Sequence, residues 1–195
     1  TESINDFIRN IVLERFETND LDSYKNSIKE LEVLGATKDQ MVGVYIKAMG
    51  SPDRQVRSTA VKILIDLWDR KEKAIEIFIK EIENQNKNVR ETSVWALGEI
   101  GFINKQEVSA LVKAYMDNSG YDNRSVREQI IKVIGRIGHV APEVVSTFKI
   151  ALYDTEKGIR REAVRALGKI GPITEEVISS LIRMLDDFDE YVRLA

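Results

Sequence analysis

Cysteine is missing from this chain, and histidine occurs once, at His139. The first absence excludes disulfides, thiolate nucleophiles and cysteine metal sites. The second leaves no Ser-His-Asp set with a plausible partner arrangement, and only an oxygen-ligand metal site would remain. Proline is scarce, at three residues, so little interrupts helix formation. No apolar run approaches the ~18 residues of a membrane span, and no signal-peptide pattern opens the chain. Nor is either sign of charge in large excess: the formal net charge is −3 and the pI about 5.4. That balance gives no overall attraction to nucleic acid or to an anionic membrane. These absences point to a cytoplasmic chain, because a cysteine-free sequence agrees with a reducing compartment.

What is present is a repeat. Apolar residues make up 43% and charged residues 31% of the 195 residues, a composition that folds. A Val-Arg pair recurs as Val56-Arg57, Val89-Arg90, Val126-Arg127 and Val192-Arg193, with Ile159-Arg160 as a variant. The spacings are 33, 37, 33 and 33. The longer interval comes from the loop-like segment DNSGYDNRS, which carries Tyr121. Counting the apolar residue of each pair as zero, positions 4, 5, 8 and 11 form a helical stripe, as in Ile130, Ile131, Ile134 and Ile137. A second stripe follows near positions 18, 19, 22 and 26, as in Val177, Ile178, Leu181 and Leu185. Each unit therefore reads as two amphipathic helices that cannot bury a core alone and must stack.

The punctuation agrees. Asp53, Asn86, Asn123, Glu156 and Asp189 stand three residues before each pair. Asp and Asn there suit N-caps, whereas Glu156 does not. Gly35, Gly101, Gly138 and Gly171 close first helices, where a left-handed residue is wanted. Gly98, Gly135 and Gly168 recur inside first helices at position 9, where they allow close helix packing. Second helices start at Asn104, with Glu107 three residues on, at Pro142 and at Thr174.

The phrases VRETSVWALGEIG, VREQIIKVIGRIG and IRREAVRALGKIG resemble the HEAT repeat, in its short form known as the PBS-lyase HEAT-like repeat. The resemblance covers roughly residues 20 to 195. It implies an all-α, right-handed α-α superhelix of stacked antiparallel helix pairs. Five repeats are expected, at about 20–50, 53–83, 86–118, 123–154 and 156–187, with a partial sixth at 189–195. An N-terminal helix over 2–16 precedes them, and the whole of 1–195 reads as a single solenoid domain. Thr1 in place of Met, and an end just inside a new first helix, suggest a piece of a longer chain. The resemblance also implies a structural ladder between repeats, built from Arg57, Arg90, Arg127, Arg160 and Arg193 with the polar residues Asp53, Asn86, Asn123 and Asp189.

No reaction site emerges. The sequence shows no phosphate-cradling glycine loop, nucleophile elbow or cofactor motif. The acidic cluster Asp186, Asp187, Asp189 and Glu190 lacks calcium-loop spacing. The family implies instead a non-catalytic scaffold whose second helices line a concave binding surface. Position 24 of those helices reads Lys47, Lys80, Lys113, Ile150 and Arg183, beside a small polar strip containing Ser109, Ser146 and Ser179. This row is a candidate site for an acidic segment of a protein partner. Lysine near a helix C-terminus also complements the macrodipole without any partner. Trp95 interrupts a column of cations on the first helices, Lys29, Lys62, Lys132 and Arg165. It either lies on neighbouring aliphatic stems or anchors a partner on the convex side. Two other functions are carried by the resemblance: a bilin lyase-like or chaperone subunit for a phycobiliprotein, and a nucleic-acid-binding HEAT-like domain, which the acidic balance opposes. The missing His-Glu pairs argue against a metal-dependent hydroxylase of this fold. End-to-end self-association through Leu181, Leu185 and Phe188 is also expected, because the partial last repeat leaves them without cover.

Overall fold

The computed structural model describes all residues except 1–25, 27–28, 69–70, 102–103, 118–122, 139–140 and 171–173. The expected helix over 2–16, Tyr121, His139 and Gly171 lie outside the described residues. Every regular element among those described is helical. A helical stretch over 29–33 comes first. It is followed by α1 (Lys38–Met49), α2 (Arg54–Asp66), α3 (Lys71–Glu81), α4 (Lys87–Ile100) and α5 (Lys105–Asp117). Then come α6 (Arg124–Ile137), α7 (Pro142–Ala151), α8 (Lys157–Ile170), α9 (Glu175–Met184) and the short α10 (Glu190–Arg193). The fold is an all-α repeat of helix pairs. It divides into two compact units, Thr1–Ala96 and Leu97–Ala195, where the sequence reading drew one domain. The division falls within α4.

In the first unit α1 packs along α2, and α2 meets α3. The start of α4 is tied to the turn after α1. Asn88 Nδ2 donates to the carbonyls of Gly50 and Ser51, each at 3.2 Å. In the second unit the first helices α6, α8 and α10 form one layer, with α8 packed against both others. The second helices α5 and α7 pack together as the other layer. The core lies between the layers. Ile130, Ile131 and Ile134 from α6, Ala163 from α8 and Phe148 from α7 are all fully buried. The stripe is not evenly buried: Ile137 and Ile170 at its end, and Val164 within it, are only half-buried.

Local sequence explains the helix boundaries. Thr37 and Gln40 form a capping box before α1, and Asn104 and Glu107 cap α5 reciprocally, at 2.6 and 3.1 Å. Thr174 Oγ1 accepts from the Val177 N–H at 3.3 Å, and Pro142 opens α7. Gly35, Gly101 and Gly138 have φ of 82°, 76° and 66°, a conformation that costs L side chains energy. The interior glycines differ from one another. A Cβ on Gly98 would lie 2.8 Å from Val133 Cγ2, and one on Gly135 would lie 3.1 Å from Ala166 Cβ. These two glycines let first helices approach closely. Gly168 would meet nothing within 4 Å, so close packing does not explain it.

Candidate interaction surface

The regular arginines are absorbed by the turns. Arg57 Nη1 donates to the carbonyls of Ser51 and Pro52, at 2.9 and 2.8 Å. Arg90 repeats this with Asn84 and Gln85, at 2.8 and 2.9 Å. Arg160 does so with Asp154 and Thr155, at 3.0 and 3.1 Å. Arg193 does so with Asp187 and Phe188, at 2.7 and 3.3 Å. Each guanidinium thus clasps the turn that leads into its own helix. Arg127 and Arg160 also reach forward. Arg127 Nε and Nη2 donate to the Asp154 carboxylate, both at 3.1 Å. Arg160 Nε and Nη2 donate to Asp187, at 2.7 and 2.8 Å. A planar fork meeting a carboxylate through two bonds is the strong, orientation-specific form of ion pair. The Arg160 hydrogen bonds hold the Asp187 carboxyl below its ordinary range, against the opposing effect of burial.

The acid that Arg127 and Arg160 use is therefore five residues before the next pair, not three before their own. Asp154 and Asp187 were missed as partners, although the signal was periodic. Ser51, Asn84, Asp154 and Asp187 share that position. Each accepts the N–H two residues on, from Asp53, Asn86, Glu156 and Asp189, at 3.1, 2.8, 3.0 and 2.9 Å. The residues three before the pair have other work. Asp53 accepts from the Gln55 N–H at 2.7 Å, Asn86 from Asn88 at 2.9 Å and Asp189 from Tyr191 at 3.0 Å. Asn123 makes no side-chain cap bond, because its φ of −101° and ψ of 11° depart from the extended geometry that capping uses. Links between repeats at this level come from a different cation. Arg124 pairs with Glu156 at 3.3 Å and Lys157 with Asp189 at 2.9 Å. The bond from Lys157 lowers the Asp189 carboxyl below its usual range.

The position-24 row is exposed throughout. Lys47 and Lys80 lie in the last turns of α1 and α3, in the first unit. In the second unit, Lys113 stands 4.0 Å from Asp117, and Arg183 reaches the Tyr153 hydroxyl at 3.5 Å. An exposed pair such as Lys113–Asp117 contributes little to stability. Ser109, Ser146 and Ser179 are exposed as well. Their hydroxyls donate to the carbonyls of Lys105, Pro142 and Glu175, at 3.1, 2.9 and 2.8 Å. The neighbouring residues of that strip turn inward: Thr147 and Ser180 are buried and bond to their own helix backbone. Trp95 is half-buried, whereas Lys62 and Arg165 in the same column are exposed.

At the far end of the second unit Leu185 is 62% exposed and Phe188 fully exposed. Leu181 is half-buried, so the bare patch is instead completed by Ile178 and Ile182 on the same helix. Among the described residues no cluster of acids or histidine could hold a metal ion. No described helix is long and apolar enough to cross a membrane.

Comparison with known proteins agrees with this architecture. No curated protein sequence matches the chain significantly. Among solved structures, the complex of CpcE and CpcF of phycocyanin lyase from Nostoc sp. PCC7120 superposes with a TM-score of 0.60 at 20% identity. That match covers 78% of this chain and 94% of the other. A designed armadillo repeat protein in complex with the peptide (KR)4 gives 0.50 at 15% identity, covering 96% and 95% of the two chains. At such identities the likeness shows the fold alone. The family model for HEAT repeats matches twice, over residues 44–126 and 119–195, so the chain belongs to the HEAT repeat family.

Proposed function

We propose that this chain is a non-catalytic interaction scaffold of the cytoplasm. In this reading it binds a protein partner on the face of its second helices, the concave side expected of the fold. One observation carries it: the outward rows of those helices bear cations and small side chains that contribute nothing to the core, while the arginines that hold the repeats are engaged at the turns. Placing a photo-crosslinking residue at Ser146, and in a second variant at Lys132 on a first helix, tests the face. A partner captured from Lys132 and not from Ser146 would refute it. Reversing Lys47, Lys80, Lys113 and Arg183 to Glu tests the electrostatic part. Unchanged affinity for the captured partner would exclude an acidic segment as the ligand.

The similarity to the phycocyanin lyase subunits favours a second reading, a bilin lyase-like or chaperone subunit. Mixing the chain with a free bilin and recording the visible spectrum separates the two. A shifted and intensified absorbance band would support the lyase reading.

A further inference from the structure

On the second unit the exposed face of three consecutive second helices has one layout. Residues spaced i, i+4 and i+7 point outward: Ser109, Lys113 and Met116 on α5, then Ser146, Ile150 and Tyr153 along α7 and its following turn, then Ser179, Arg183 and Asp186 along α9 and its turn. The helices are neighbours. α5 packs on α7, and α7 is joined to α9 by the Lys149–Glu176 ion pair and the Arg183–Tyr153 hydrogen bond. The centre of this face is apolar. Ile150 is 51% exposed, Tyr153 59% and Met116 39%. Lys113 and Arg183 stand on either side of Ile150, at the same repeat position. The serines at one edge are small, and their hydroxyls are already spent on their own helices. They leave room for a partner's main chain without competing for its hydrogen bonds.

We propose that Met116, Ile150 and Tyr153 form an apolar anchor site flanked by Lys113 and Arg183. Its occupant is an extended protein segment carrying one large apolar side chain between two carboxylates. This deepens the reading above and rests on it. Isolated exposed apolar residues need no explanation, whereas a cluster rimmed by cations does. Lys113 and Arg183 choose the occupant: carboxylates on both sides of the apolar residue would meet a cation on each flanking helix, displacing Asp117 from Lys113 and passing on the side of the row away from Asp186. The spacing follows from the packing. Adjacent helices lie about 8–10 Å apart, so Lys113 and Arg183 are separated by roughly 16–20 Å across α7. An extended chain advances about 3.3 Å per residue, which places the two acids about five to six residues apart. The apolar residue falls midway.

The probe is a phage-displayed library of random 12-residue peptides, selected on the intact chain and then measured against variants. The enriched peptides should carry a large apolar residue flanked by Asp or Glu at that spacing. They should bind Ile150→Lys and Tyr153→Ala at least tenfold more weakly, and Arg183→Gln several-fold more weakly. Ile150 and Tyr153 lie at the surface, so circular dichroism of each variant should match the parent and separate lost binding from lost fold. Failure to enrich such peptides, or binding to Ile150→Lys within twofold of the parent, would overturn the anchor site. If acidic peptides tolerate Ile150→Lys but lose binding to Lys113→Glu and Arg183→Glu, the anchor fails while the acidic-partner reading stands. If they tolerate all of these variants, both fail.

Discussion

Arg127 and Asp154, from the first helix and the closing turn of one repeat, face each other through two hydrogen bonds of 3.1 Å, with side chains only 5% and 9% exposed. The Tyr115 hydroxyl donates to the same carboxylate at 3.2 Å. Burial, and secondarily that carboxylate, raise the Tyr115 phenol above its ordinary value.

Asp154→Ala should therefore be among the most damaging single changes in the second unit. It removes the carboxylate that receives the buried Arg127 side chain through two bonds, together with the acceptor of the Glu156 N–H and of the Tyr115 hydroxyl. Breaking a buried pair from one side costs about 3–5 kcal/mol. Tyr115→Phe, which removes one hydrogen bond, should cost about 1 kcal/mol. Urea unfolding of both variants measures this, and a loss below about 1 kcal/mol for Asp154→Ala would contradict it.

The interior glycines should respond oppositely to one substitution. Gly98→Ala forces a methyl to within 2.8 Å of Val133 Cγ2, the tip of a buried and rotamer-restricted side chain. Steric cost should outweigh the helix-propensity gain and lower the melting temperature. At Gly168 the added methyl meets nothing within 4 Å. There the change should stabilise by about 0.4–1 kcal/mol through the unfolded state. Two melting curves that shift in the same direction would refute the contrast.

Acid should loosen the last turn before it unfolds the rest. The carboxyls of Asp187 and Asp189 are held below their unfolded values by Arg160 and Lys157. A depressed folded value means stability that is present above the unfolded carboxylate range, near pH 4. It is lost as pH falls through the lower folded values. The protection of residues 187–193 against amide exchange, taken relative to the intrinsic rate at each pH, should fall below about pH 4. In Arg160→Met the Asp187 part of that dependence should shrink, leaving what the Asp189 N–H and Arg193 contribute. Protection that does not change with pH in the parent would show that these pairs contribute nothing.

The bare end of the second unit should make the chain self-associate. Ile178, Ile182, Leu185 and Phe188 form a contiguous apolar surface of the sort that seeks cover. Sedimentation should show weight-average mass rising with concentration in the parent, and less so in a Leu185→Lys, Phe188→Glu double variant. A strictly monomeric parent would rule this out.

The repeat was legible because stacking imposes a period, and a period is visible without coordinates. Ala60, Val94, Ile130 and Ala163 all lie at the expected depth. The cap at Thr174 and the left-handed glycines follow from local chemistry that sequence displays directly. The partner of the conserved-looking arginine rows was not legible. A side chain as long as arginine reaches across a turn, and the ladder that the resemblance implies pairs it with residues such as Asp53 and not with Asp154, which lies 27 residues from Arg127. Asn123 misled because its residue type suits a cap while its backbone does not. The apolar centre of the second-helix face was not legible for a related reason. Ile150 read as a gap in a row of cations, and Tyr153, one turn on, became visible as its neighbour only when the helices were set side by side.

The serines at the edge of that face carry a last consequence. Because Ser109, Ser146 and Ser179 satisfy their hydroxyls within their own helices, and the arginine clasps draw on the turns that follow those helices, the outward serines take no part in holding the repeats together, whereas Tyr153 and Arg183 do. Exchange of those serines then demands no compensation in the framework. One outward residue per repeat can be exchanged while the joints between repeats remain as they are, so this surface is open to rapid evolutionary drift and to deliberate redesign.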